Sequence, residues 1–151
     1  MKRFLLYTIL FLSLAGAADA GYLLIETMGR AAVTCPNVPI GRFNLNQCNV
    51  VLATPYAKIF GLPNALYGLV TYLFFALLVL YELKEKRMTN AIKLLSYLSG
   101  LGFLVFLYFV YLQFFVIKAL CFYCLISAIT MILIFALSIL YNSRYPAESF
   151  N

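Results

Sequence analysis

Four cysteines are the residues of this 151-residue chain with the clearest capacity for chemistry. Cys35 and Cys48 lie in a polar stretch, and Cys121 and Cys124 form a Cys-Phe-Tyr-Cys motif. In a helix, residues at positions i and i+3 share one face and lie close enough for a disulfide bond. Near a helix N-terminus the dipole also favours the thiolate, which is the reactive form. The late pair is therefore predicted to be redox-active.

The cysteines also have less reactive interpretations. Cys35 and Cys48 alone could form a structural disulfide, since extracytoplasmic loops are often cross-linked, and a buried cysteine can act as a small hydrophobic residue. A cross-link between Cys121 and Cys124 would add little, because the helix already fixes that turn. A four-cysteine zinc site fits the count, but the two pairs lie too far apart for the usual ligand spacings.

The chain contains no histidine, which limits the redox centres and catalytic groups that it can use. Bis-histidine haem ligation and histidine general-base catalysis are excluded. Thiol–disulfide exchange needs only an in-line thiolate. Because the sequence has no motif for NAD, flavin or iron–sulfur clusters, we expect the electrons to pass from the thiols to a lipid-soluble quinone.

Asn64 is a candidate ligand for that quinone. An amide at the start of a membrane helix is costly unless it is hydrogen-bonded, and a quinone carbonyl suits its donor group. A helix-end or interhelix hydrogen bond explains it equally well. Aromatic residues could line the same pocket, although 14 Phe and 12 Tyr make simple packing the commoner role; the candidates are Phe60, Tyr67, Phe122 and Tyr123.

Composition indicates that a membrane positions these residues. The chain is 65% hydrophobic and 11% charged, with a mean hydropathy of +0.96. We predict one all-α domain, a four-transmembrane-helix bundle, since about 20 helical residues cross the hydrocarbon. The predicted helices cover residues 4–25, 63–81, 94–116 and 119–141. The predicted bundle also has an outer loop (26–62) and an inner loop (82–93). The outer loop is expected to contain a short interfacial helix from Pro55 to Gly61.

The net charge of +6 is interpreted as topological, because the basic residues lie in short clusters beside the apolar runs and leave no basic face for nucleic acid. The side with more basic residues is predicted to be cytoplasmic, which places both termini there, and all four cysteines outside, in a multi-pass protein of the cell membrane. Seven basic residues lie on that side, namely Lys2, Arg3, Lys84, Lys86, Arg87, Lys93 and Arg144, against Arg30, Arg42, Lys58 and Lys118 on the other.

The first helix has a rival interpretation as a signal peptide. Met-Lys-Arg, an apolar stretch and the small residues Ala18-Asp19-Ala20 resemble one. The apolar run resumes after Ala20, so we interpret the segment as a retained span. Asp19 would then be an ionisable group inside the membrane, which is a default functional candidate and here a candidate proton relay; in a signal peptide it would only mark the cleavage site.

The sequence resembles the vitamin K epoxide reductase (VKOR) family, in its short prokaryotic form. The likeness lies in Cys48-Asn-Val-Val-Leu-Ala-Thr-Pro-Tyr-Ala-Lys-Ile-Phe-Gly-Leu-Pro-Asn-Ala-Leu-Tyr-Gly68 and the late Cys121-x-x-Cys124. It implies a four-helix bundle around a quinone. By this resemblance Cys35 exchanges with a reduced partner, Cys48 passes electrons to Cys121, and Cys124 reduces the quinone. It also places Asn64, Thr54 and Phe60 at quinone-pocket positions.

Two departures from the family pattern matter. Cys35 and Cys48 lie farther apart than the family pattern leads us to expect, and Ala128 stands where vitamin K-reducing relatives have a tyrosine. The chain also lacks the thioredoxin-like domain that is fused to many relatives. The resemblance thus implies a separate DsbA-like thioredoxin-fold partner and quinone reduction. The alternatives are reduction of vitamin K epoxide, against which Ala128 argues, and a non-catalytic, disulfide-linked membrane scaffold.

Overall fold

The structure is a computed structural model that describes residues 1–29, 32–40, 43–84 and 90–145. Its long helices are α1 (Lys2–Gly29), α3 (Asn64–Lys84), α4 (Ala91–Tyr111) and α5 (Phe122–Arg144), and a short helix, α2 (Cys48–Ala53), lies between the first two. α4 continues into a π-helical segment, Leu112–Ile117. Counted with that segment, all four long helices are long and apolar enough to cross a membrane, which confirms the predicted four-helix membrane fold.

The helix boundaries differ from the predicted ones by a few residues. α1 runs four residues past the expected end at Ile25, without a break at Ala18-Asp19-Ala20. α5 begins at Phe122 and not at Ala119, because Lys118 adopts a left-handed conformation (φ 56°) and Cys121 an extended one. Hydropathy could not detect this break, since residues 119–121 are as apolar as the helices on either side.

The four long helices pack side by side, each against two neighbours and more closely against one of them. α1 lies along α3 and α5, and α4 lies along α5. Gly16 permits the approach of α1 to α3, since a Cβ atom there would lie 2.6 Å from the ring of Tyr72. The main core is apolar and includes Leu6, Ile9, Phe75, Val79, Ile92, Leu95, Met131 and Ile134.

The two ends of the bundle differ in chemistry. At one end Tyr141 donates a hydrogen bond to Glu82 (3.2 Å), and Asn142 donates one to Ser96 (2.7 Å). At the other end the C-terminus of α1 and the N-termini of α3 and α5 meet the loop that follows α1. All four cysteines lie at this second end, which we call the cysteine end.

The loop after α1 contains two small hairpins. β1 (Pro39–Ile40) pairs with β2 (Phe43–Asn44), and β3 (Lys58–Ile59) pairs with β4 (Leu62–Pro63). The expected interfacial helix is only one 3-10 turn, Pro55–Ala57, followed by the second hairpin. Phe60 and Gly61 both have positive φ (52° and 80°), as a tight two-residue hairpin turn requires. Leu62 precedes proline, which further disfavours helix.

Candidate functional site

Cys35 and Cys48 form a disulfide bond with a Cα–Cα distance of 6.3 Å. Cys48 is the first residue of α2 and is fully buried, whereas Cys35 lies in a segment without regular secondary structure and is partly exposed. The wider spacing of this pair therefore does not prevent the two cysteines from meeting. Cys35 is the more exposed member of the pair.

Asn49 holds the Cys35 segment against α2. Its side-chain oxygen accepts a hydrogen bond from the backbone N–H of Val33 (2.8 Å), and its side-chain nitrogen donates one to the carbonyl of the same residue (3.1 Å). Both backbone groups of one residue are thus bound by a single amide. Asn49 follows Cys48 directly, so this contact fixes Cys35 next to its partner.

Cys121 and Cys124 are free thiols at the N-terminus of α5. Cys121 is the N-cap residue, and its sulfur accepts a hydrogen bond from the backbone N–H of Cys124 (3.3 Å). A hydrogen bond with the side chain of Cys124 lowers the pKa of Cys121, with support from the backbone amides of Tyr123 and Cys124 and against the effect of burial. The predicted helix-terminal stabilisation of a thiolate thus falls on Cys121.

Backbone contacts join the two cysteine pairs. Asn46 and Cys121 form an isolated antiparallel bridge, and the backbone N–H of Gln47 donates to the carbonyl of Leu120 (3.3 Å). The hydroxyl of Tyr123 donates to the carbonyl of Thr34 (3.3 Å), next to Cys35. Cys48 and Cys121 are both fully buried in one apolar cluster, and Cys35 and Cys124 pack against it. The four cysteines that the sequence singled out are therefore in one place.

A cavity of about 550 Å³ lies below this cluster, between the cysteine-end halves of the long helices. Most of its wall is apolar, and its size falls in the range of small-molecule sites. Cys124, Asn64 and Thr54 all line it, as does Tyr67. The side-chain amide of Asn64 has no hydrogen-bond partner among the described residues, whereas the hydroxyl of Thr54 donates to the carbonyl of Val51 (2.7 Å). The cavity thus contains an available amide and a thiol.

Three of the proposed aromatic wall residues lie elsewhere. Phe60 is 97% exposed at the tip of the β3–β4 hairpin, where the two-residue turn directs it away from the bundle, and it does not line the cavity. The structure therefore does not place Phe60 at the expected position in the pocket. Phe122 and Tyr123 pack against the cysteine cluster, and Tyr123 also contacts Tyr22, with ring centroids 5.1 Å apart.

Two cavity residues were not singled out from the sequence. Gln113, in the π-helical segment, is 3% exposed and accepts a hydrogen bond from the backbone N–H of Cys121 (3.0 Å). Ser127 donates to the carboxylate of Asp19 (2.7 Å). Polar side chains within apolar spans are themselves a signal, the same one that drew attention to Asn64. Ala128 is buried and is not part of the described cavity wall.

In the parts of the chain that the structure describes, no three His, Cys, Asp or Glu side chains are grouped to hold a metal ion. Two of the four cysteines are joined to each other, so the zinc interpretation has no ligand set there.

The bundle, the cysteine pairs and the cavity define a class. Four apolar helices that can cross a membrane, with a disulfide packed against two free thiols, have the composition of a membrane thiol oxidoreductase, the class that the family match implies. The model of the vitamin K epoxide reductase family matches residues 7–139, and the chain belongs to that family. No curated protein matches the chain closely enough to be counted as a relative.

Proposed function

We propose that this protein is a quinone-dependent, disulfide-generating thiol oxidoreductase. It takes electrons from a separate extracytoplasmic DsbA-like thioredoxin-fold protein at Cys35 and Cys48 and delivers them through Cys121 and Cys124 to a quinone in the cavity. The observation that carries the proposal is the position of Cys124. This residue packs against the cluster that holds the other cysteines, and it also lines the cavity.

Electron transfer follows two exchanges and one reduction. The two thiols of the reduced partner first exchange with the Cys35–Cys48 disulfide, which leaves a disulfide on the partner and two thiols here. The thiolate of Cys48 then attacks Cys121 in an inner Cys121–Cys124 disulfide, which releases Cys124 and forms a Cys48–Cys121 mixed disulfide that Cys35 resolves. The outer disulfide re-forms, and the inner cysteines are left as thiols. The Cys35–Cys48 disulfide and the free thiols of Cys121 and Cys124 support this order of steps. The inner pair then gives up two electrons and two protons to the quinone.

The polar groups of the cavity suit a substrate that is reduced from quinone to quinol. Asn64 can donate its amide to a carbonyl oxygen. The hydroxyl proton of Thr54 is already committed to the carbonyl of Val51, which leaves the oxygen as an acceptor for a quinol hydroxyl. The apolar remainder of the wall fits the ring and an isoprenoid tail.

The distribution of charge supports a membrane topology with both termini in the cytoplasm and the cysteines outside. In the described residues, five basic side chains lie at or near the helix ends opposite the cysteines, namely Lys2, Arg3, Lys84, Lys93 and Arg144, and two lie at the cysteine end, Lys58 and Lys118. The positive-inside rule assigns the first group to the cytoplasm. The other basic residues fall outside the described part of the chain. An oxidising compartment on the cysteine side suits the outer disulfide.

The proposal is tested with the purified chain in lipid nanodiscs, a reduced thioredoxin-fold protein and a panel of quinones. Quinone absorbance should fall with the wild-type chain and should not fall with Cys124→Ser. Asn64→Leu should raise the KM for quinone by roughly fivefold, the equivalent of one hydrogen bond, whereas Asn44→Ala, on an exposed strand, should not change it. No cysteine-dependent reduction of any quinone in the panel would contradict the proposal.

A further inference from the structure

The hydrogen bond between Asp19 and Ser127 joins a carboxyl group in the membrane to the wall of the cavity. Ser127 lies on α5 one turn beyond Cys124, so the two share a helix face, and both line the cavity. Its hydroxyl lies 2.7 Å from the carboxylate of Asp19 on α1. Asp19 itself is not part of the described cavity wall, although Ala20 is. Ser127 therefore stands between the carboxyl group and the cavity.

We propose that Asp19 and Ser127 form a proton relay, in which Asp19 supplies a proton to the cavity through the hydroxyl of Ser127. The inference rests on the proposed quinone reduction and assigns two further residues to it. An ionisable residue within a span is expensive, and an amide would join the two helices at lower cost. A role that needs a transferable proton explains why this residue is a carboxylic acid and not an amide.

The relay is balanced in electrons and protons. Oxidation of the Cys121 and Cys124 thiols to a disulfide releases two electrons and two protons, and reduction of a quinone to a quinol consumes the same numbers. In the structure the hydroxyl of Ser127 donates to Asp19. In the relay Asp19 is protonated, and the hydroxyl turns to donate its proton to a quinone oxygen while its own oxygen accepts the proton of the Asp19 carboxyl group. A proton released by the thiols then restores Asp19. No further oxidant or reductant is required.

Other titratable groups lie around Asp19, and of these Cys124 also lines the cavity. Electrostatic interactions reach it from Tyr72 on α3, from Tyr123 and Cys124 on α5, and from Cys121 at the N-cap. The hydroxyl of Tyr72 donates to the backbone carbonyl of Ser127 (2.8 Å). Tyr72 thus fixes the position of Ser127, while the side chain of Ser127 remains free to face Asp19 and the cavity.

The first measurement needs no quinone. The chain has five acidic residues, so infrared carboxyl bands of the reduced protein can be assigned by substitution. A protonated carboxyl band should be present, should vanish in Asp19→Asn and should shift in Ser127→Ala, because the hydrogen bond is lost. Glu26→Gln, on the same helix, is the control and should leave the band in place. A spectrum in which Asp19→Asn removes no protonated band overturns the relay.

The second measurement separates turnover from binding. Asp19→Asn keeps the shape and the acceptor for Ser127, and it should lower kcat for quinone reduction by roughly 100-fold with no change in KM, the scale of general acid catalysis. Ser127→Ala should behave similarly. Asp19→Glu and Ser127→Thr, which keep the transferable protons, should recover most of the rate. Ser138→Ala is the control, since among the described residues the hydroxyl of that buried serine donates to the carbonyl of Phe135 in its own helix.

The outcomes distinguish the relay from the reaction it serves. An active wild-type chain in which Asp19→Asn and Ser127→Ala keep kcat within about twofold overturns the relay alone, as does a change in KM without a change in kcat. A wild-type chain that reduces no quinone overturns the proposed function and the relay together. Reduction of the Cys35–Cys48 disulfide by a small dithiol should proceed at the wild-type rate in every folded variant.

Discussion

The side-chain oxygen of Gln113 accepts a hydrogen bond of 3.0 Å from the backbone N–H of Cys121. Gln113 also lines the cavity and lies in the π-helical segment that ends the third span. A π-helical turn within an α-helix is often found at functional sites. The residue that fixes the position of the activated cysteine is thus part of the cavity wall, which connects the thiol chemistry to the space where the quinone is proposed to bind.

Replacing Gln113 should misplace Cys121. Gln113→Leu leaves the backbone N–H of Cys121 buried without an acceptor, which costs about 1–3 kcal/mol. We expect a lower melting temperature and slower exchange between the outer and inner cysteine pairs, measured by trapping the mixed disulfide. Gln113→Glu keeps the acceptor oxygen and serves as the matched variant. Equal exchange rates in the wild-type chain and in Gln113→Leu would show that this hydrogen bond does not position Cys121.

Cys124 should control the ionisation of Cys121. The hydrogen bond with its side chain is the largest cause of the lowered pKa of Cys121, so the wild-type chain holds more Cys121 thiolate at neutral pH than an unperturbed thiol would. Cys124→Ala removes that donor and should raise the pKa, so thiolate absorbance appears only at higher pH. Cys124→Ser retains a hydroxyl donor and should titrate at lower pH than Cys124→Ala. Identical titration curves for the two variants would contradict this assignment.

Asn49 should determine how firmly the Cys35 segment is held. Asn49→Ala removes two hydrogen bonds to Val33, and at about 1 kcal/mol each the expected loss is roughly 2 kcal/mol. Hydrogen exchange across residues 32–38 should become faster, while exchange within the long helices should not change. Asn44→Ala on the neighbouring hairpin provides the control. Unchanged protection of residues 32–38 in Asn49→Ala would be inconsistent with the contact.

Gly16 should tolerate no side chain. Gly16→Ala places a Cβ atom 2.6 Å from the ring of Tyr72, so the ring must move and its hydrogen bond to Ser127 is weakened. Overpacking of this kind costs roughly 1–3 kcal/mol. Gly21→Ala is a matched control on the same helix, because its nearest neighbour would be 3.8 Å away. Thermal unfolding should separate the two variants, and equal melting temperatures would refute the steric argument.

The sequence predicted those features that depend on local composition. The membrane spans follow from the length of the apolar segments. The cysteines and Asn64 were identified from residue type and position. The conformation of Phe60 and Lys118 was not predictable, because both are bulky or long residues with positive φ, imposed by a tight turn and by the end of a π-helical segment. The apolar pattern around them continues unchanged.

The tertiary hydrogen bonds could not be predicted from the sequence either. The contacts of Asn49 with Val33, of Gln113 with Cys121 and of Ser127 with Asp19 join residues that lie 16, 8 and 108 positions apart. No periodicity encodes such pairs. Asp19 could be identified as a functional candidate because an ionisable residue in a span is unusual, but its partner required the packing of α1 against α5.

Electrons are proposed to pass from the outer pair through the inner pair to a quinone, and anaerobic single-turnover reduction can show whether this claim holds. The fully reduced chain, with its four cysteines as thiols, is mixed with excess quinone and the quinol formed per protein is measured. Each disulfide is a two-electron couple, so the wild-type chain should form about two quinols and the Cys35→Ser/Cys48→Ser variant about one. The Cys121→Ser/Cys124→Ser variant should form none. Quinol formation by that last variant would contradict the claim, because the outer thiols would then reduce quinone without the inner pair.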